Sequence, residues 1–265
     1  SEIFLVMVSG MGTIAGSVMG TYIGMLGGTD PAAKVLFATH LLSASVMAVP
    51  GSIVLAKMLC PQTEEATDHV AVSGKEKENS NILDAISSGT VTGVKLMTNI
   101  AAMLLVFISL VALANYITEG VIGRYTGLND WIVKITDGKA QGLTFQFILG
   151  VITSPFMWLI GVPSQDIMLV GSLLGQKTIL NEFVAYFQLQ QWKDAGLFMY
   201  EKSILMSTYI LCGFANISSI GILLGGLGVL APEKRGLISR IGVPAMIGGA
   251  LVSVLSATII GMILG

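Results

Sequence analysis

Few polar groups in this 265-residue chain sit inside apolar surroundings, and Glu182 is the most isolated of them. It lies between two uncharged stretches, 167–176 and 183–192, with Lys177 five residues before it. A second group, Asn216, Ser218 and Ser219, falls inside the uncharged run 203–232, and Thr13 falls inside another, 3–29. These groups do not make a catalytic set. Cys60 and Cys212 lie far apart and give neither a disulfide framework nor a metal spacing. His40 and His69 offer no paired-histidine or Cys/His pattern. An enzyme acting within a membrane would need a nucleophile with its base, or a metal cluster, and the apolar runs carry neither. What remains is binding chemistry, in which a carboxylate accepts hydrogen bonds while amides and hydroxyls donate and accept them.

The elements that hold these groups must face lipid. Of the residues 53% are hydrophobic and only 11% charged, and mean hydropathy is +0.80, whereas soluble domains carry roughly 25% charged residues. The net charge of -2 and pI of about 5.7 lack the basic footprint of a nucleic-acid binder, so no nucleic-acid partner is expected. Uncharged gaps cover 3–29, 35–56, 96–118, 140–165, 203–232 and 241–265. Each is long enough to cross a bilayer, which takes about 20 apolar residues. The stretches flanking Lys177 and Glu182 are only half that length, and two half-spans meeting at a polar tip predict a re-entrant hairpin, whose exposed backbone must line a cavity or be buried in protein.

Between these runs, 61–81 is the longest polar loop and 231–240 a short basic-leaning one. From Ile82 to Ile117 the pattern predicts one continuous helix, on the order of 50 Å long, which must tilt or project beyond a core of roughly 30 Å. The run 140–165 contains Pro155 and Trp158 and ends in VPSQD, which suits a segment in the interface as well as a span. Lys177 is expected to snorkel to the interface. The sequence opens at Ser1 with no basic n-region, and the apolar stretch that follows is too long and glycine-rich for a signal peptide. We therefore expect a fragment cut at its N-terminus.

An internal similarity links GMGTIAGSVMG, residues 10–20, to GFANISSIGIL, residues 213–223. Gly10 matches Gly213, Ile14 matches Ile217, and Thr13 falls opposite Asn216. With the basic loops on one side of the membrane the two copies run in opposite senses, which predicts an inverted repeat with broken helices near the midplane. Two readings of the polar groups stay open at this point. Glu182 could be a ligand or could complement a helix dipole behind an Asn181 cap. Asn216, Ser218 and Ser219 could bind, or could pack helices together.

The strings NEFVAY (181–186), CGFANISSIGILLGGLGVLAPEKR (212–235) and TIAGSV (13–18) resemble the concentrative nucleoside transporters, a cation-coupled family that includes bacterial nucleoside permeases. The resemblance covers residues 1–265 as one C-terminal transport region. It implies an all-α multi-pass membrane protein with spanning helices, a re-entrant helical hairpin and an interfacial helix, forming the second half of an inverted-repeat transporter. It implies nucleoside uptake across the plasma membrane (the inner membrane of a bacterium) by alternating access, in a homotrimer, with sodium or a proton as coupling ion and no cofactor. The resemblance places ribose recognition on Glu182, Asn216 and Ser219. It sets Phe214 and Val18 beside the base, and Thr13 and Ile14 at the helix break that helps hold sodium in sodium-coupled members. The family's first hairpin, which contacts the nucleobase, matches no residue here. Other readings are a secondary transporter of another small polar solute, or a non-transporting structural membrane subunit.

Overall fold

The computed structural model describes residues 2–63, 81–136, 138 and 140–265, and all regular structure among them is helical. Most of the predicted 61–81 loop, with His69, lies outside the described residues. The first uncharged gap folds as α1 (Glu2–Gly12) and α2 (Gly16–Gly27), with a break between them. Asp30 then caps α3 (Pro31–Leu59) by accepting from the backbone N–H groups of Ala32 and Ala33 at 2.9 and 3.2 Å, with Pro31 at the first helical position. The long predicted helix is α4 (Ile82–Asn115), 34 residues, started by the Asn81 side chain on Asp84 N. It runs on through a π-helical stretch, Tyr116–Gly123, into a single turn α5 (Arg124–Thr126) and a short amphipathic α6 (Leu128–Ile135).

The ambiguous run forms α7 (Phe145–Leu159), whose 15 residues rise only about 22 Å, short of a bilayer core. It packs along α8 (Ile167–Ile179), the first arm of the hairpin. The second arm is α9 (Glu182–Asp194). The next gap, 203–232, is again broken, into α10 (Glu201–Leu211) and α11 (Ile217–Leu230), and the chain closes with α12 (Arg235–Ile263).

Three segments of the described chain are long and apolar enough to cross a membrane: Glu2–Gly27, Pro31–Leu59 and Arg235–Ile263. On α3 the side chains of Val35, Val46 and Met58 are 67%, 71% and 70% exposed. Lipid is the solvent that tolerates such a face. Inside, α12 packs against α1, where a Cβ on Gly249 would sit 2.7 Å from the Cβ of Met11, so the two backbones approach as only glycine allows. One buried cluster joins α2, α3, the hairpin and α10, and a second joins α1, α3 and α12.

Candidate functional site

Both breaks occur where polar residues were expected, and they meet. Gly213 adopts φ +114°, and a Cβ there would lie 2.7 Å from the carbonyl oxygen of Gly12. The end of α1 therefore rests against the turn that follows α10. The helix starts, however, set Ala15 opposite Asn216, two residues away from the register of the sequence repeat. The breaks differ in length, residues 13–15 against 212–216, so the Thr13–Asn216 pairing is not kept. Thr13 instead donates its hydroxyl to Ser9 O at 2.9 Å, closing the last turn of α1.

Asn216 is the N-cap of α11. Its Oδ1 accepts from Ser219 N at 2.8 Å and from Ser218 Oγ at 2.6 Å. Ser219 Oγ accepts from Asn216 N at 3.2 Å and donates to Asn216 O at 2.6 Å, which completes a reciprocal capping box. With Oδ1 held by the helix, Nδ2 points outward and donates to Glu182 Oε2 at 3.1 Å. Glu182 opens α9, where the Asn181 side chain accepts from Val184 N at 2.9 Å. The carboxylate thus lies in the first turn of one half-helix and against the N-cap of another, so two positive helix ends face it.

Of the expected site residues, the structure joins Glu182, Asn216 and Ser219 by hydrogen bonds. Thr13, Ile14 and Phe214 are half-buried in or beside the two breaks, and Val18 is half-buried on α2, which packs on α9. Ser219 is fully buried with its hydroxyl committed to the cap, so in this state it braces Asn216.

Lys177 does not snorkel. It is 0% exposed, and its Nζ donates to the Ile210 carbonyl and to Ser253 Oγ, each at 2.8 Å. Ile210 lies in the last turn of broken α10, where carbonyls lack helical partners and a cation complements the dipole. The buried cation is therefore a clamp from the hairpin onto α10 and α12. Tyr186 on α9 does similar work, its hydroxyl donating to Thr208 O at 2.8 Å.

Two further residues belong to this constellation and were not singled out from the sequence. Tyr22 on α2 stacks on Tyr186 with ring centroids 4.0 Å apart, and its hydroxyl is buried beside the Glu182 carboxylate. Its spacing of four residues from Val18, one helical turn, was the available signal. Asp166, just ahead of α8, is buried and accepts from Met199 N and Tyr200 N at 3.0 and 3.1 Å. Entry to and exit from the hairpin are thereby fastened at one end.

A shallow groove lined by Asn115, Glu119, Arg124 and Asn129 lies elsewhere, at the joint of α4 and α6. There Asn115 Oδ1 accepts from Phe145 N at 2.7 Å and Asn129 Oδ1 from Leu143 N at 3.0 Å, so the asparagines moor the start of α7. Among the described residues, no group of His, Cys, Asp and Glu could hold a metal ion.

Broken helices in contact, a hairpin tied at one end and a lone carboxylate between half-helices define the architecture of a secondary transporter. Residues 40–261 match the family described as "Na+ dependent nucleoside transporter C-terminus". The chain belongs to that family, the concentrative nucleoside transporters. It is 39% identical over 268 residues to an uncharacterized transporter of Haemophilus influenzae, covering 100% of this chain and 59% of that protein. It is 37% identical over 267 residues to nucleoside permease NupC of Helicobacter pylori, covering 100% and 58%, and 38% identical over 277 residues to sodium/nucleoside cotransporter 1 of Rattus norvegicus, covering 99% and 39%. Among solved structures it resembles a variant of CNTnw in an intermediate state, with TM-score 0.83, 36% identity and coverage of 98% of this chain and 58% of that one. It also resembles CNTnw in an inward-facing substrate-bound state, with TM-score 0.79, 36% identity and coverage of 98% and 56%. The chain spans about three fifths of the length of the bacterial relatives and about two fifths of the rat protein.

Proposed function

We propose that residues 1–265 form the C-terminal transport region of a cation-coupled nucleoside transporter of the plasma membrane, assembled as a homotrimer and working by alternating access. The observation that carries this reading is the Glu182–Asn216 hydrogen bond between two half-helix starts. A carboxylate at that depth is costly unless wetted or paired, by at least about 2.5 kcal/mol. Vicinal sugar hydroxyls can donate to Glu182 and accept from Asn216 Nδ2 at once. Asn216 and Glu182 then contact ribose, with Ser219 acting through the cap it braces. Phe214 and Val18 supply the apolar walls for the base. Relatives named as sodium/nucleoside cotransporters support sodium as the coupling ion. Thr13 and Ile14, where the backbone leaves the helix, are proposed to supply oxygens to it.

Thermal stabilisation of the complete protein tests this directly. Ribonucleosides should raise the melting temperature more than deoxynucleosides, and free bases or ribose should do little. The gain should be larger in sodium than in potassium and should not depend on pH. A larger gain at lower pH in potassium would assign the coupling to protons. Stabilisation by free bases equal to that by nucleosides would remove Glu182 and Asn216 from substrate recognition.

A further inference from the structure

Next to the proposed sugar site lies a buried hydroxyl that sits beside a carboxylate without a well-formed hydrogen bond to it. Tyr22 is 0% exposed, and among the described residues its hydroxyl has no hydrogen-bond partner of normal geometry. Buried hydroxyls are nearly always bonded. The neighbouring Tyr186 is, since its hydroxyl donates to Thr208 O at 2.8 Å. Tyr22 cannot turn away to find water, because its ring is stacked on Tyr186 at 4.0 Å and lies 6.3 Å from that of Phe183. The polar group beside it is the Glu182 carboxylate, already engaged through Oε2 by Asn216.

We propose that Tyr22 is a positioning residue of the sugar site, whose hydroxyl bonds Glu182 once ribose draws the carboxylate and Asn216 into their binding geometry. This rests on the reading of Glu182 as the ribose contact and extends it. A carboxylate accepts through two oxygens and about four lone pairs, so the Asn216 amide, a sugar hydroxyl and a phenol can share it. Fixing one side of the carboxylate with a phenol on a locked ring leaves the other side aimed at the sugar. A bond that is poorly aligned without ribose and well made with it makes the hydroxyl favour the substrate-bound state. Val18, one helical turn earlier on α2, is proposed for the base side of the pocket, so a single helix would hold both the base wall and the brace of the sugar carboxylate.

The test compares wild type, Tyr22→Phe and Tyr186→Phe in the complete protein. It measures the melting temperature without substrate and the affinities for uridine and deoxyuridine. Tyr22→Phe keeps the ring and removes a poorly bonded hydroxyl, so its melting temperature should equal or exceed that of wild type, whereas Tyr186→Phe loses a well-made bond and should melt lower. Uridine affinity of Tyr22→Phe should fall by roughly tenfold, and deoxyuridine affinity by less, so that discrimination between the two shrinks. Uridine affinity within about twofold of wild type, or an equal loss for both ligands, overturns the proposal. So does a melting temperature lowered as in Tyr186→Phe, because the hydroxyl would then be bonded in the empty state. Wild-type protein that binds no nucleoside overturns the underlying reading as well, which separates the two failures.

Discussion

At Glu182 one carboxylate meets the starts of two half-helices, and the amide of Asn216 at 3.1 Å sets its direction. The residue that holds this geometry from behind is Lys177. Its ammonium reaches Ile210 O and Ser253 Oγ across 33 and 76 residues of chain. Lys177→Met, similar in length but without donors, leaves the Ile210 carbonyl without that partner and should destabilise the complete protein by about 2 kcal/mol. Lys177→Arg should not restore it, since a planar guanidinium does not fit a site closed around an ammonium. A melting temperature equal to wild type in Lys177→Met would contradict the clamp. From the sequence, Lys177 reads as a side chain reaching for the interface, because depth and partners are set by residues far along the chain. Glu182 is legible as a candidate because its isolation between uncharged half-spans is itself a local pattern. Its bond to Asn216, 34 residues away, is not.

The elements that place these groups are a hairpin and two broken helices. Asp166 bonds the backbone N–H groups of Met199 and Tyr200, so the hairpin begins and ends together. Single cysteines introduced at Gln165 and Trp192 of the complete protein should therefore react with an impermeant thiol reagent from the same side of the membrane. Labelling from opposite sides would make α8 and α9 a true span. The break after α10 depends on Gly213, where φ is +114° and a Cβ would fall 2.7 Å from Gly12 O. Gly213→Ala strains its own backbone and pushes the two breaks apart, which should cost about 3 kcal/mol or more and abolish nucleoside binding. Unchanged binding in Gly213→Ala would show that the contact between the breaks does not shape the site. The hairpin was readable from Lys177 and Glu182 interrupting an apolar run. The second break was readable only through its likeness to residues 10–20, and there the register was wrong by two. A short repeat matches small residues equally well at neighbouring offsets, while breaks of unequal length are fixed by tertiary contact.

Across the whole molecule, the second arm of the hairpin and the start of α11 meet at one carboxylate, and α4, 34 residues long, is joined to α7 where Asn115 Oδ1 accepts from Phe145 N. Composition was enough to place the chain in lipid. Charge spacing located α3 and α12, which extend beyond the gaps 35–56 and 241–265, and the proline-free run 82–117 anticipated α4, but neither gave the division of 203–232 into α10 and α11 or the 15-residue limit of α7. Those follow from how helices pack on one another. Glu182 and Asn216 are proposed to read the sugar of a nucleoside. The most direct measurement is binding of uridine, adenosine and deoxyuridine to the complete protein carrying Glu182→Gln. A charge-assisted hydrogen bond of about 1.5 to 3 kcal/mol is lost, so affinity for both ribonucleosides should fall roughly 10-fold to 150-fold. Discrimination against deoxyuridine should shrink, and the ranking of uridine against adenosine should stay nearly constant. Intact affinity, or an altered base ranking with hydroxyl discrimination unchanged, would contradict the sugar assignment and leave Glu182 as a helix-end charge.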